Sequence, residues 1–471
     1  MKNMKPNIVF ILMDDLGWMD LTCYGSRFYE TPNLDRLARG GIRFTDAYAA
    51  CPVCSPTRAS ILSGKYPATV GVTDWIDRGN FHPQKAKLIE VPYVKQLPLT
   101  EKSLASALKE GGYNTWHIGK WHLGMRDYYP DRHGFDINIA GCECGSPGGK
   151  FFKNGYFSPY GHPTLTDGPE GEYLPDRLTT EACNLIRENN GKPFYLNMWY
   201  YLVHTPIQAP RHIVAKYETK LKKMGLDKVR TFEENGPHPT PAKKDIPIIR
   251  RLVQSDPTYA AMVESMDTNI GRILNALEDC GQIDNTIVIF TSDNGGLATS
   301  EGSPTCNAPL SEGKGWMYEG GTREPLIISW PGIVKPGTLT DSPVTSPDFY
   351  PTLLEVAGLD LIPKQHVDGE SFFPLLKGDL SWKREKPLFW HYPHYGNQGG
   401  TPGSSIRLGN FKLIEFFEDE RLELYNLKDD IEEDHNLAQE MPGKVAEMKK
   451  LLYEWRDSVE AKIPQPNPDW K

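Results

Sequence analysis

The chain has 471 residues and a formal net charge of −9, with 39% hydrophobic and 24% charged residues. That balance belongs to a folded globular protein and excludes a disordered one, and the length calls for one oversized α/β unit or a large domain with a smaller companion. The acidic balance, with no long Lys/Arg block, speaks against nucleic acid as a partner, and no apolar run approaches the ~18 residues of a membrane span.

In chain order, the apolar run after Lys2 and Lys5 is too short for a secretion signal and stops at Asp14-Asp15, so it reads as a buried strand over 7–13. As the sequence stands, the expectation is a cytoplasmic protein. Thr31-Pro32 opens a helix that Gly40 closes, and a second runs from Thr100, with Leu104 and Leu108 on one face and Gly111 as its stop. Continuous apolar runs predict strands at 194–200, 286–291 and 325–329. Between them, Tyr259, Met262, Val263, Met266, Ile270 and Ile273 keep helical spacing through 257–279. This alternation predicts an α/β fold with a large, mostly parallel sheet sandwiched by helices.

From about residue 380 the pattern changes. Residues 411–417 and 422–425 alternate like antiparallel strands, and Val445, Met448, Leu452 and Trp455 line one face of a last helix. The expected division is a large catalytic domain over 1–380 and a smaller α+β subdomain with an antiparallel sheet over 381–471. Gly/Pro-rich stretches at 141–176, 230–247 and 396–405 read as surface insertions or as loops over an active site.

Open α/β sheets bind ligands beyond the carboxyl ends of their strands. Two predicted strands end in hard oxygen donors, Asp14-Asp15 and Asp293-Asn294. Three carboxylates and an amide oxygen suit Ca2+, with Mg2+ second, although each pair alone equally suits the capping of a turn. Eight cysteines in a chain with no evident leader are expected to be reduced. Cys51-x-x-Cys54 with Cys142-x-Cys144 gives a zinc reading, but the spacings fit no strong zinc pattern.

Cys54-Ser55-Pro56-Thr57-Arg58, followed by Leu62-Ser63-Gly64, resembles the signature of the type I, formylglycine-dependent sulfatases of the alkaline phosphatase superfamily. The resemblance continues through Gly119-Lys120-Trp121-His122-Leu123-Gly124, His204-Thr205-Pro206, Gly313-Lys314-Gly315 and Glu319 to Pro325, with the look of bacterial carbohydrate sulfatases. It implies that a maturation enzyme, a transient partner, oxidises Cys54 to formylglycine. It also implies that Asp14, Asp15, Asp293, Asn294 and an oxygen of modified Cys54 hold Ca2+. Arg58 would steady the nucleophile, Lys120 and Lys314 would bind the sulfate, His204 would protonate the leaving oxygen, and His122 would take a proton from residue 54.

The expected reaction is hydrolysis of sulfate esters, on sugars of the galactose or N-acetylgalactosamine type. His394, in His391-Tyr-Pro-His394, is a further substrate-binding candidate, and Trp75 and the 141–176 loop are candidate walls of a sugar pocket. Aryl or steroid sulfates, phosphate or phosphonate esters, and a non-catalytic role as a binder of sulfated glycans with unmodified Cys54 are the alternatives.

Overall fold

The computed structural model describes residues 5–77, 85–148 and 152–470. Its large sheet contains β1 (Asn7–Met13), β2 (Ile42–Tyr48), β3 (Asn114–Gly119), β4 (Ile137–Ile139), β5 (Phe194–Trp199), β6 (Thr286–Ser292), β7 (Arg323–Ser329), β8 (Thr338–Thr340) and β9 (Val344–Thr345). The order is β8-β2-β7-β6-β1-β5-β3-β4, with β9 also on β2. Among its described strands only β7 runs antiparallel to its neighbours. Helices cover both faces, so the central strands β1 and β6 are buried along their whole length and their sequences run apolar without alternation.

Register makes this sheet a site. Met13 of β1 lies opposite Ser292 of β6, and Leu12 and Gly119 both lie opposite Trp199. Four parallel strands therefore end at one edge, and the residues after each of them emerge together. The long helix Pro257–Asp279 starts on Pro257, and the Asp256 carboxylate accepts from the Thr258 and Tyr259 amides at 2.9 and 3.0 Å. Farther along, Asp267 accepts from the amides of Asn33 and Leu34, binding this helix to the start of Pro32–Arg39.

Three expectations shift. The helix expected from Thr100 begins at Leu104, because Ser103 is the residue whose hydroxyl caps it, accepting from the Ser106 amide at 3.0 Å. Strand β7 starts at Arg323, two residues before the apolar run, with a bulge between Glu324 and Leu326 where Pro325 has no N–H to pair. The 230–247 stretch, read as loop, contributes Phe232–Pro237 to an antiparallel hairpin with Pro247–Arg251. The first of these strands is largely exposed, so it lacks the apolar alternation that would announce it.

The second sheet is an antiparallel meander of β10 (Leu388–Tyr392), β11 (Gly403–Leu408), β12 (Phe411–Phe416) and β13 (Leu422–Asn426). Period-two alternation sends Phe389, Ile406, Leu413 and Leu424 against Val445, Met448, Leu452 and Trp455 of the helix Pro442–Ser458. The opposite face, with Trp390, Tyr392, Ile414 and Phe416, packs on Tyr48, Cys51 and Val53 of the large unit. The expected division at 380/381 precedes β10. No described helix is long and apolar enough to cross a membrane.

Candidate active site

Cys54 is the first residue of the helix Cys54–Ser63, which Gly64 ends with φ 70° while its N–H bonds the Ser60 carbonyl. All ten helical residues are buried. Ser55 ties the helix to the surrounding loops: its Oγ donates to the His122 carbonyl at 2.9 Å and accepts from the Ile76 amide at 3.0 Å. Cys54 Sγ lies 3.4 Å from His122 Nδ1. Burial pushes this thiol up, against the pull of Lys120 and Lys314, so it stays protonated.

The strand-end acids face it. Ligand atoms of Asp14, Cys54 and Asp293 lie within 4.8 Å of one another, and Asp14 and Asp15 form a second such group with His204. Asp15 and His122 adopt left-handed backbone, φ 62° and 58°, a strain concentrated where the chain must turn its side chains inward. Each acid has a cation. Lys120 Nζ is 2.6 Å from Asp14 Oδ2, Lys314 Nζ is 2.8 Å from Asp15 Oδ1, and Arg58 reaches Asp293 Oδ2 through Nε at 2.8 Å. Arg58 also donates to the Lys120 carbonyl at 3.1 Å.

These pairs do not satisfy the acids equally. Burial lifts Asp293 to about 6 although Arg58 opposes it, and burial raises Asp14 against Lys120. At Asp15 burial is overcome by Lys314 and His204, which hold the carboxyl well below the usual range. Asp14 Oδ1 and Asn294 Oδ1 are buried without a hydrogen-bond partner, while Asn294 Nδ2 donates to Asp15 Oδ1 at 2.8 Å. Two such oxygens side by side with acids suit a positively charged ligand.

The two histidines have defined tautomers, because each gives one nitrogen to a carbonyl. His122 donates from Nε2 to the Ile76 carbonyl at 2.6 Å, which leaves its Nδ1 lone pair toward residue 54. His204 donates from Nδ1 to the Thr205 carbonyl at 2.9 Å, so its Nε2 accepts from Lys314 Nζ at 3.0 Å. Burial and the neighbouring lysines depress both, Lys314 acting most on His204, which is brought to about 4, and Lys120 most on His122.

A cavity of about 680 Å³ opens over this floor, lined by Cys54, His122, His204 and Lys314, with the more exposed Trp75, Asp77, Glu301 and Asn397 at its mouth and the buried Glu143 and Gln398 also on its wall. The structure thus brings together Asp14, Asp15, Cys54, Arg58, Lys120, His122, His204, Asp293, Asn294 and Lys314. It does not bring His394 to this wall: that ring is 1% exposed and bonds Thr73 Oγ1 through Nε2 at 2.9 Å. Trp75 and the 141–176 loop do line the cavity, the latter through Glu143, Gly145, Ser146 and Gly148, apart from residues 149–151, which lie outside the described residues. The acids of the mouth and wall were missed. Only the Gly/Pro-rich loops that carry Glu143, Asn397 and Gln398 gave a signal for them. Cys142 and Cys144 group with Glu143 and stand in a separate cluster from Cys54.

Comparison with known proteins places the whole chain in a family. The family model described as Sulfatase matches residues 6–359, and one described as N-sulphoglucosamine sulphohydrolase, C-terminal, matches 312–458. A sulfatase of Formosa agariphila is 34% identical, covering 94% of this chain and 86% of that protein. Human N-acetylgalactosamine-6-sulfatase is 32% identical, covering 82% and 68%. Among solved structures, Ps i-CgsB in complex with k-i-k-neocarrahexaose superposes with a TM-score of 0.75 at 28% identity, covering 96% and 92%. The chain belongs to the sulfatase family, as a type I sulfatase of the alkaline phosphatase superfamily. It is a sulfuric ester hydrolase.

Proposed function

We propose that this sulfatase acts on sulfated sugars of the galactose or N-acetylgalactosamine type, with Cys54 converted to formylglycine and Ca2+ held by Asp14, Asp15, Asp293 and Asn294. The observation that carries the reading is the convergence of Cys54, two histidines and two lysines on orphaned acid and amide oxygens at the floor of one cavity. The donor set fits a hard divalent cation, being made of carboxylate and amide oxygens of which Asp14 Oδ1 and Asn294 Oδ1 have no hydrogen-bond partner. When bound, the cation supplies neutralisation of the clustered acids and electrostatic stabilisation of the sulfate. Formylglycine, made by a separate maturation enzyme, supplies in its hydrated form an oxygen nucleophile where burial keeps a thiol protonated.

The other roles belong to the chain's own side chains. His122 accepts a proton from residue 54 at Nδ1, the nitrogen its bond to Ile76 leaves free. His204 exchanges its proton at Nε2, on the cavity wall, and serves as the acid for the leaving oxygen. Its depressed proton affinity rises when an anionic sulfate ester offsets the charge of Lys314. Lys120 and Lys314 are fixed by Asp14 and Asp15 in advance, so little reorganisation is needed to stabilise the sulfate oxygens. Arg58, fully buried on Asp293, offsets the repulsion between the acids.

The sugar assignment rests on the cavity mouth and wall. Asp77, Glu143, Glu301, Asn397 and Gln398 offer hydroxyl-binding groups beside Trp75, a lining suited to a hydroxylated ring. The named activity of N-acetylgalactosamine-6-sulfatase and the oligosaccharide bound to Ps i-CgsB support it. Human steryl-sulfatase, 28% identical over 82% of this chain, keeps a steroid substrate as the second reading, but three acids would face its apolar rings. A screen of defined galactose and N-acetylgalactosamine sulfates against an aryl sulfate tests this. Turnover of the aryl ester alone would defeat the sugar assignment. A retained thiol at Cys54 in peptide mass analysis of active enzyme would defeat the nucleophile.

A further inference from the structure

A second set of metal-ligand atoms lies away from the catalytic floor. Asp74, Glu90 and His394 come from three distant segments and are 8%, 7% and 1% exposed. Their ligand atoms all lie within 4.8 Å of one another. Asp74 leads into the cavity wall at Trp75, and His394 follows β10 of the second sheet. Glu90 follows the short strand Leu88–Ile89, which pairs with Gln465–Pro466 near the chain end.

An outer ring of hydrogen bonds aims these groups at one another. Asp74 Oδ1 accepts from the Trp75 amide at 2.8 Å and from the Tyr392 hydroxyl at 3.0 Å, and Glu90 Oε1 accepts from the Tyr395 amide at 2.9 Å. His394 bonds Thr73 Oγ1 through Nε2. Its Nδ1 is turned inward, 4.0 Å from Asp74 Oδ2 and 3.9 Å from Glu90 Oε1, beyond hydrogen-bond reach of either. With all three ligand atoms within 4.8 Å of one another, an ion between them falls about 2–3 Å from each, close to the reach of oxygen and nitrogen ligands to a divalent cation.

Charge points the same way. Two carboxylates brought into one buried place favour a positive ligand between them. Burial, reinforced by the charge of Glu90, drives the Asp74 carboxyl well above its ordinary range. The Lys95 ammonium nearby is engaged by Asp77.

We propose that Asp74, Glu90 and His394 form a second, structural divalent-cation site, with His394 binding through Nδ1. Two carboxylates and an imidazole favour Zn2+ or Mn2+ over the Ca2+ suited to the all-oxygen set at the strand ends. Thr73 completes the site from outside: its hydroxyl accepts Nε2–H and so presents the Nδ1 lone pair to the ion. The ion pins the 73–76 segment to the second sheet. Because the Ile76 carbonyl in that segment fixes the tautomer of His122, the site also holds the catalytic wall in place.

The test uses the metal-stripped full-length chain, dialysed against Zn2+ alone, with bound metal counted by elemental analysis. The unaltered chain is expected to bind one more Zn2+ than His394→Gln, and Asp14→Asn, altered at the strand ends, is expected to keep that additional ion. Equal stoichiometry in the unaltered chain and His394→Gln overturns the site. Thr73→Ala, which leaves all three ligands, is expected to weaken the additional Zn2+ about 10–100-fold. Unchanged affinity there rejects binding through Nδ1. Zn2+ should also raise the melting temperature of Asp14→Asn and not that of Asp14→Asn/His394→Gln, and equal shifts in the two would reject the site without reference to turnover.

Discussion

Two clusters of buried charge lie at the two sides of β7, and they are built on opposite plans. At the junction of the two sheets, acids and bases pair off with one another. Glu319 accepts from the Tyr48 hydroxyl at 2.7 Å and faces Lys412 at 2.9 Å, Lys412 also faces Glu433 at 3.1 Å, and Asp46 holds Arg323 and Arg407 at 2.8 and 2.7 Å. This cluster bolts the second sheet to β2 and β7. At the strand ends the cations are also paired, yet Asp14 Oδ1 and Asn294 Oδ1 are left over. The junction network, in which Glu433 Oε1 lacks a hydrogen bond but still faces Lys412 at 3.1 Å, holds parts together, whereas the strand-end network, with an acid and an amide oxygen to spare, is shaped for something it must bind.

The sharpest way to break this comparison is at residue 54. Cys54→Ala should abolish turnover while the far-UV spectrum and unfolding midpoint stay close to those of the parent. Appreciable turnover would mean that the reaction does not pass through residue 54. Chelation followed by dialysis should likewise remove activity, and added Ca2+ should restore it. Recovery with no divalent ion present would show that the spare oxygens serve another purpose. Next, His204→Ala should cost about 10²–10⁴-fold in kcat/KM for a sugar sulfate, with a smaller loss for an activated aryl sulfate that needs little proton transfer. Equal losses for the two would argue against the acid role.

The closed network should respond the other way round. Lys412→Met removes the buried cation shared by Glu319 and Glu433, leaving Glu319 to Arg323, and should lower stability by about 3–5 kcal/mol in denaturant titrations, with turnover per folded molecule little changed. A smaller effect follows from Glu433, whose carboxyl burial lifts to about 8, opposed by Lys412 and reinforced by Glu319. A folded value above the unfolded one means that its contribution to stability is fully present in acid and is lost as pH rises through about 8. Glu433→Gln should therefore flatten the decline in unfolding free energy between about pH 5 and 8. An unchanged slope would place the pH sensitivity elsewhere.

Legibility in the sequence followed how local the physics was. The helix Pro257–Asp279 and strand β1 could be read to the residue, because an apolar stripe of helical period and a wholly buried run each carry their own signature. The hairpin of Phe232–Pro237 could not, since an exposed strand has no buried face to imprint on its residues. Strand β7 was placed late because Arg323 and Glu324 look like loop, although both are buried, Arg323 facing Asp46 and Glu319. His394 was drawn toward substrate by its motif, and only the packing of β10 shows it turned toward Asp74 and Glu90.

By itself, then, the sequence determined the α/β class, the second sheet with its helix, and the chemistry-bearing residues at strand ends and in the Cys54 segment. The first two are set by composition and spacing within a few residues, the strand-end donors by where the apolar runs stop, and the Cys54 segment by its resemblance to the sulfatase signature. What only the tertiary structure decided is which atoms remain unsatisfied: the free nitrogen of each histidine, the spare oxygens of Asp14 and Asn294, the acids at the cavity mouth and the inward face of Asp74, Glu90 and His394. Those depend on side chains far apart in the chain, whose distances are fixed by sheet register and by the packing of the second sheet on the first.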